Sequence, residues 1–251
     1  MTAALALYRT VALVWTVVAL AVVPYLLGRP APYGRHARPG WGKLVEARWA
    51  WLLMEIPSPL GMVLFFAFGQ GGPVAGVFLS LWLIHYVYRA LVFPFLLPAK
   101  ARPMPITVLL SGAFFNLVNA YLNGAWLFFL APPRTMAWLA SPRFVLGGLL
   151  FFVGLAMHVL ADRKLRRLRR SAEGYAVPRG GLFRFVSCPN YFGEIVEWSG
   201  FALATWSPGA LLFVLWTVAN LVPRAVRHHR WYRETFPDYP ASRRAVLPFL
   251  L

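Results

Sequence analysis

The stretch SCPNYFGEIVEW, residues 187 to 198, sets two carboxylates and an amide in a strongly apolar chain. On a helix Asn190 and Glu194 are four apart and Glu194 and Glu197 three apart, so all three share one face. An ionisable group at membrane depth costs about 2.5 to 3.5 kcal/mol on insertion scales, so such a face is expected to line a cavity or a pathway.

Further groups of this kind recur along the chain. Glu55 stands in WLLMEIPSPL, followed by Pro57 and Pro59. Apolar surroundings favour a neutral carboxyl, which can then donate a hydrogen bond; the alternative is a glutamate engaged with carbonyls that the prolines free. His85, Tyr86 and Arg89 in LWLIHYVYRALVF occupy adjoining parts of one helical face. A buried tyrosine hydroxyl seeks a partner, and beside a neutral carboxyl it makes a clamp for a carbonyl oxygen. His158, Asp162 and Arg166 are each four apart, as a helix-stabilising ladder or as holders of a ligand hydroxyl. Arg224, Arg227, His228, Tyr232 and Asp238 close the series in LVPRAVRHHRWYRETFPDYP. The single cysteine, Cys188, excludes an intramolecular disulfide and reads as a small packing residue.

These groups must be positioned by apolar elements. The 251 residues are 59% hydrophobic and only 13% charged, against about 25% charged in a soluble domain, which predicts an all-α, polytopic integral membrane protein. Runs near the length of about 20 residues that spans a bilayer lie at 3 to 27, 49 to 68, 74 to 97, 106 to 130 and 144 to 162. The last apolar block, 192 to 222, is broken at Trp206-Ser207-Pro208-Gly209, a hairpin between two helices. Seven spans are expected, in one domain covering 1 to 251. The first run lacks a basic leader and is too long for a signal-peptide core, so it reads as the first span.

The net charge of +17 is not spread as on a nucleic-acid-binding face. Basic residues gather in alternate loops, at 29 to 43, at Lys100 and Arg102, from 163 to 184, and in the tail from Arg224. By the positive-inside rule those loops and the C-terminus face the cytoplasm and the N-terminus faces out. The excess of arginine over lysine points to a bacterial inner membrane; a eukaryotic chain of this kind would sit in the endoplasmic reticulum.

The basic loops also suit a phosphorylated ligand held by bidentate arginine contacts or anionic lipid head groups. A soluble anionic cofactor from the cytoplasm and a lipid-soluble substrate from the bilayer would meet among Glu55, Tyr86, Asn190, Glu194 and Glu197. No G-x-G-x-x-G after a strand, no P-loop and no metal-ligand spacing is present.

With these residues in view, the chain resembles the steroid 5α-reductases (3-oxo-5-alpha-steroid 4-dehydrogenases) over nearly its whole length. The likeness is strongest from about 160 to 251, in PRGGLFRFVSCPNYFGEIVEWSGFALATWS and RAVRHHRWYRETFPDYPASRRAVLPFLL, and extends to EIPS, HYVYR and ARPMP. The resemblance implies NADPH-dependent reduction of the 4,5 double bond of 3-oxo-4-ene steroids, with Glu55 and Tyr86 holding the 3-carbonyl. It implies a cofactor site formed by Arg102, His158, Asp162, Arg169, Tyr175, Asn190, Glu194, Arg224, His228 and Tyr232, and no metal. Its partners would be a steroid or other polycyclic lipid enone and the bilayer, with no nucleic acid and no obligate protein. Two departures stand out: Met54 where the family often has glutamine, and His158 where it often has asparagine.

Two rival readings use the same residues. A reductase of another lipid enone fits the clamp equally well, whereas a methyltransferase has no need of one. A transporter with a carboxylate proton relay would call for inverted repeats, which the sequence lacks.

Overall fold

In hydrocarbon every backbone polar group must be bonded within its own segment, so uncharged apolar runs fold as helices. The computed structural model describes residues 2–29, 31–98, 101–171 and 175–251; Lys100 lies outside them. The chain is all-α, with helices α1 (Thr2–Gly28), α2 (Ala47–Glu55), α3 (Pro57–Phe68), α4 (Pro73–Tyr86), α5 (Ile106–Ala125), α6 (Pro142–Ser171), α7 (Pro189–Thr205) and α8 (Pro208–Thr235).

Among the described residues six segments are long and apolar enough to cross a membrane: Ala3–Gly28, Ala47–Phe68, Pro73–Leu96, Ile106–Leu130, Pro142–Arg169 and Pro208–Thr235. The remaining expected span is α7, whose 17 residues make it shorter than the rest. Two spans depart from plain α-helix where they carry polar groups. Pro57 cannot donate an N–H, so the second span breaks at Ile56, one residue after Glu55. The third passes after Tyr86 into a π-helical turn, Val87–Val92, and a 3₁₀ turn, Phe93–Leu96; such wide turns re-aim side chains at functional sites. The expected hairpin is present: Trp206 adopts a left-handed conformation (φ 48°) and the Ser207 hydroxyl caps α8 by accepting from the Ala210 N–H at 3.1 Å.

Glycines bring α6 and α7 together. The pair is antiparallel, with Gly147 against Gly200 and Gly154 against Gly193, each seven residues from the next on its own helix. A Cβ on Gly154 would lie 2.6 Å from both the Gly193 carbonyl oxygen and Glu197 Cα. The two backbones therefore touch, as small residues allow between membrane helices. Elsewhere α1 packs on α8, α3 and α2 on α5, and α7 on α8. An aromatic core around Trp82, Trp198, Phe201 and Phe213 fills the space between α4, α7 and α8.

The basic connections meet at one end of the bundle. A short antiparallel ribbon, β1 (Leu44–Val45) with β2 (Met104–Pro105), joins the first loop to the third. The tail returns to the fifth through a bridge of Val186 to Arg244. Ser187 locks that joint, its hydroxyl lying 2.6 Å from both His229 Nδ1 and the Tyr239 hydroxyl. Cys188 is buried and packs with Ala225, Ala245 and Val246, as a small packing residue should.

Candidate active site

The break after Glu55 and the wide turn after Tyr86 point both residues into the bundle, where they are 7% and 3% exposed. They meet through an asparagine. The Tyr86 hydroxyl donates to Asn116 Oδ1 at 3.3 Å, and Asn116 Nδ2 donates to Glu55 Oε2 at 3.2 Å and to the Met54 carbonyl at 2.8 Å. Glu55 Oε1 accepts from Arg89 Nε at 3.1 Å. Arg89 is in turn sheltered by the faces of Trp51 and Phe93, 4.3 and 4.9 Å from the ring centres. The sequence leaves Glu55 open between a neutral donor and a glutamate bonded to backbone carbonyls. Here both carboxyl oxygens accept, because a guanidinium and an amide converge on them, and Tyr86 is the hydroxyl donor of the group.

A second chain of contacts runs beside the first across α4, α7 and α6. Glu197, fully buried, places Oε1 2.8 Å from His85 Nδ1 and Oε2 3.5 Å from His158 Nδ1. His158 Nε2 lies 3.4 Å from Asp162 Oδ2, and Asp162 Oδ1 accepts from Asn190 Nδ2 at 3.1 Å. Both His158 nitrogens thus face carboxylate oxygens, and both can donate at once only in the imidazolium form. The close glycine contact of α6 on α7 makes this geometry possible. Ligand-type atoms of His85, His158 and Glu197 come within 4.8 Å of one another, a set that could hold a metal ion. No sequence spacing reveals it, since each residue comes from a different helix.

Towards the basic end, Arg224 lies over Tyr33 at 4.7 Å and over Tyr191 at 5.6 Å. It forms no carboxylate ion pair among the described residues. His228 Nε2 is 3.3 Å from the Tyr191 hydroxyl, and its other nitrogen is 3.3 Å from His36, whose ring stacks on it. Glu194, half-buried, lies on α7 about one turn from both Asn190 and Glu197. Arginine beside aromatic faces and imidazoles fits a phosphorylated, ring-bearing ligand.

The other residues expected at a cofactor site lie further out. Arg102 is exposed on β2's leading edge and donates to the Gly34 carbonyl at 3.5 Å. Arg169 is exposed on the last turns of α6, and Tyr175 packs edge-on against Trp231. Tyr232 is buried and stacks on Tyr239 of the tail at 5.2 Å, where it supports the end of α8. A shallow pocket lined by Gln70, Gly72, Phe78, Arg134 and Thr205 contains none of these groups.

Sequence reasoning missed Asn116, although Asn116, Asn119 and Asn123 at spacings of three and four in an apolar span were a usable signal. It also left Arg89 and His85 without partners, and these come from α2 and α7, beyond the reach of local spacing.

Residues 102–251 match the family model described as 3-oxo-5-alpha-steroid 4-dehydrogenase. The chain is 41% identical over 250 residues to 3-oxo-5-alpha-steroid 4-dehydrogenase 1 of Bos taurus, covering 96% of each chain. It is 43% identical over 229 residues to steroid 5-alpha-reductase DET2 of Gossypium hirsutum, covering 88% of each. With 3-oxo-5-alpha-steroid 4-dehydrogenase 2 of Homo sapiens the identity is 39% over 242 residues, 94% of each chain.

Proposed function

The chain belongs to the 3-oxo-5-alpha-steroid 4-dehydrogenase family, and from that premise we propose that it reduces the 4,5 double bond of 3-oxo-4-ene steroids to 5α-dihydro steroids, with NADPH as reductant. The observation that carries the reading is the buried hydrogen-bonded group of Tyr86, Asn116, Glu55 and Arg89 in an otherwise apolar bundle. Such a group suits the carbonyl of a hydrophobic ketone.

When bound, NADPH supplies a hydride to the β-carbon of the enone. The chain's own residues govern what happens at the other end of the conjugated system. As the C=C electrons shift, negative charge grows on the 3-oxygen, and a donor aimed there stabilises the transition state more than the ground state. The Tyr86 O–H exchanges its long bond to Asn116 for the carbonyl oxygen. Glu55 joins as a donor when Oε2 carries a proton, and in that state it releases the Asn116 amide. Protonation of the α-carbon then restores the ketone.

At the basic end, Arg224, His228, Arg102 and Arg169 would hold the phosphates, and the abundance of arginine suits a 2′-phosphate. Asp162, Asn190, His158 and Glu194 would bind the ring and ribose portion between that end and Tyr86, with Tyr175 and Tyr232 supporting the rim. The positive-inside rule directs this end to the cytoplasm, so cofactor and lipid arrive from different phases.

The test is NADPH oxidation by detergent-purified protein with progesterone, testosterone or androstenedione, followed by stereochemical assignment of the product. A 5α-dihydro product supports reaction and cofactor together. NADPH binding without turnover moves the substrate to another lipid enone; absence of NADPH binding discards the cofactor and favours a methyltransferase.

A further inference from the structure

A polar group buried without a partner costs about 1 to 3 kcal/mol, and two of them face the Tyr86 hydroxyl. Asn119 and Ser58, 3% and 0% exposed, lie beside that hydroxyl. Both lean towards that hydroxyl, yet among the described residues neither Asn119 Nδ2 nor Ser58 Oγ reaches closed hydrogen-bond geometry. The Asn119 amide is not free to turn. Its Oδ1 accepts from Asn123 Nδ2 at 3.0 Å, and the same Asn123 amide also donates to the Asn119 main-chain carbonyl at 3.0 Å. With Oδ1 committed to Asn123, the two N–H bonds of Asn119 are held out on the other side of the carboxamide. One face of α5 therefore carries an amide that ties Tyr86 to Glu55, then an unpaired amide, then the amide that fixes it.

We infer that Asn119 is a further catalytic residue, its Nδ2–H being an additional donor to the enone oxygen beside the Tyr86 O–H, with Asn123 as its positioning residue. The inference rests on the reductase reading above. An unpaired, oriented donor is what stabilisation of a developing oxyanion requires, since no existing bond has to break when the oxygen arrives. Glu55 is placed differently, with both oxygens already accepting. During the reaction hydride adds to the β-carbon, the C=C pair becomes the new bond between α- and carbonyl carbons, and the C=O pair moves to oxygen. The Asn119 and Tyr86 donors strengthen at that moment and relax when the α-carbon takes a proton and the ketone returns.

The experiment compares wild type with Asn119→Leu and, because leucine can hinder folding, Asn119→Ala. It measures kcat with progesterone, NADPH affinity, and the infrared C=O stretch of progesterone bound with NADP⁺, a complex that cannot react. Loss of one oxyanion donor lowers kcat by about a hundred- to a thousand-fold, with NADPH affinity unchanged. The C=O stretch should move back towards the frequency of the free steroid, and Asn123→Leu should shift it in the same direction by less. Wild-type kcat in either Asn119 variant, or a lowered kcat with an unshifted C=O stretch, would overturn the inference. Wild-type protein that neither binds nor reduces a 3-oxo-4-ene steroid would instead sink the reductase reading, and this inference with it.

Discussion

Replacing Gly154 by alanine tests whether the spacing of α6 and α7 sets the proposed cofactor side of the site. The new Cβ would lie 2.6 Å from Glu197 Cα and 2.6 Å from the Gly193 carbonyl oxygen, while ordinary contact begins at 3.4 Å. All its close neighbours are backbone, with the Glu197 amide nitrogen nearest of all, so no side chain can swing away, and the helices must part locally by more than the roughly 0.8 Å that the 2.6 Å contacts alone would require. Overpacking of this kind costs about 1 to 3 kcal/mol of stability. The same displacement breaks the 3.1 Å bond from Asn190 to Asp162 and the 3.5 Å contact of His158 with Glu197. A hydrogen bond to a charged group contributes about 1.5 to 3 kcal/mol, which converts to NADPH binding weaker by about ten- to a hundred-fold. Quenching of tryptophan fluorescence on titration with NADPH measures this directly. Gly148→Ala is the matched control on the same helix, because a Cβ there meets nothing within 4 Å. Equal NADPH affinity in Gly154→Ala and wild type would refute the reasoning, as would equal losses in the two variants.

Tyr86→Phe should lower kcat by about a hundred- to a thousand-fold and leave NADPH binding intact, as read from single turnovers and titration. Glu197→Gln removes a buried charge from between two imidazoles and should cost about 3 to 5 kcal/mol. Glu194→Gln, at a half-buried position, should cost less, and thermal unfolding of both variants in one detergent checks the order. Burial pushes the Tyr239 phenol above its ordinary value. Its contribution to stability is thus complete below the ordinary phenol value of about 10 and is lost as pH rises through the folded value. Melting curves above that pH should fall less steeply in Tyr239→Phe than in wild type.

The helices were legible in the sequence because hydrocarbon leaves an uncharged apolar run no other way to satisfy its backbone. The ends predicted for the first spans agree with the helices within a few residues, and the Ser207-Pro208 hairpin follows from capping chemistry. Glu55 and Tyr86 were singled out as polar residues at depth, and they do converge. What they converge on was hidden: Asn116 lies on α5, and Arg89 reaches Glu55 from a π-turn that no residue pattern announces. The heptad glycines of α6 and α7 are visible in the sequence, but their meaning depends on the two helices running antiparallel in one register. Tyr232, which the resemblance places at the cofactor site, stacks on Tyr239 of the returning tail, a partner that no local spacing announces.

The packing of α1 on α8 has a consequence for biogenesis. Trp216 Nε1 donates to the Trp15 carbonyl at 3.1 Å across 201 residues of sequence, and Tyr8 and Ala19 share a buried cluster with Ala219. In the order of synthesis α1 thus precedes by most of the chain the helix that completes its buried face. At a synthesis rate of about 5 to 20 residues per second, α1 waits about 10 to 40 s in the bilayer with its inner face against lipid or an insertion factor. Until α8 arrives, Arg224 and His228 are also missing from the basic end of the bundle. Closure of the inner face of α1 is thereby coupled to the synthesis of α8.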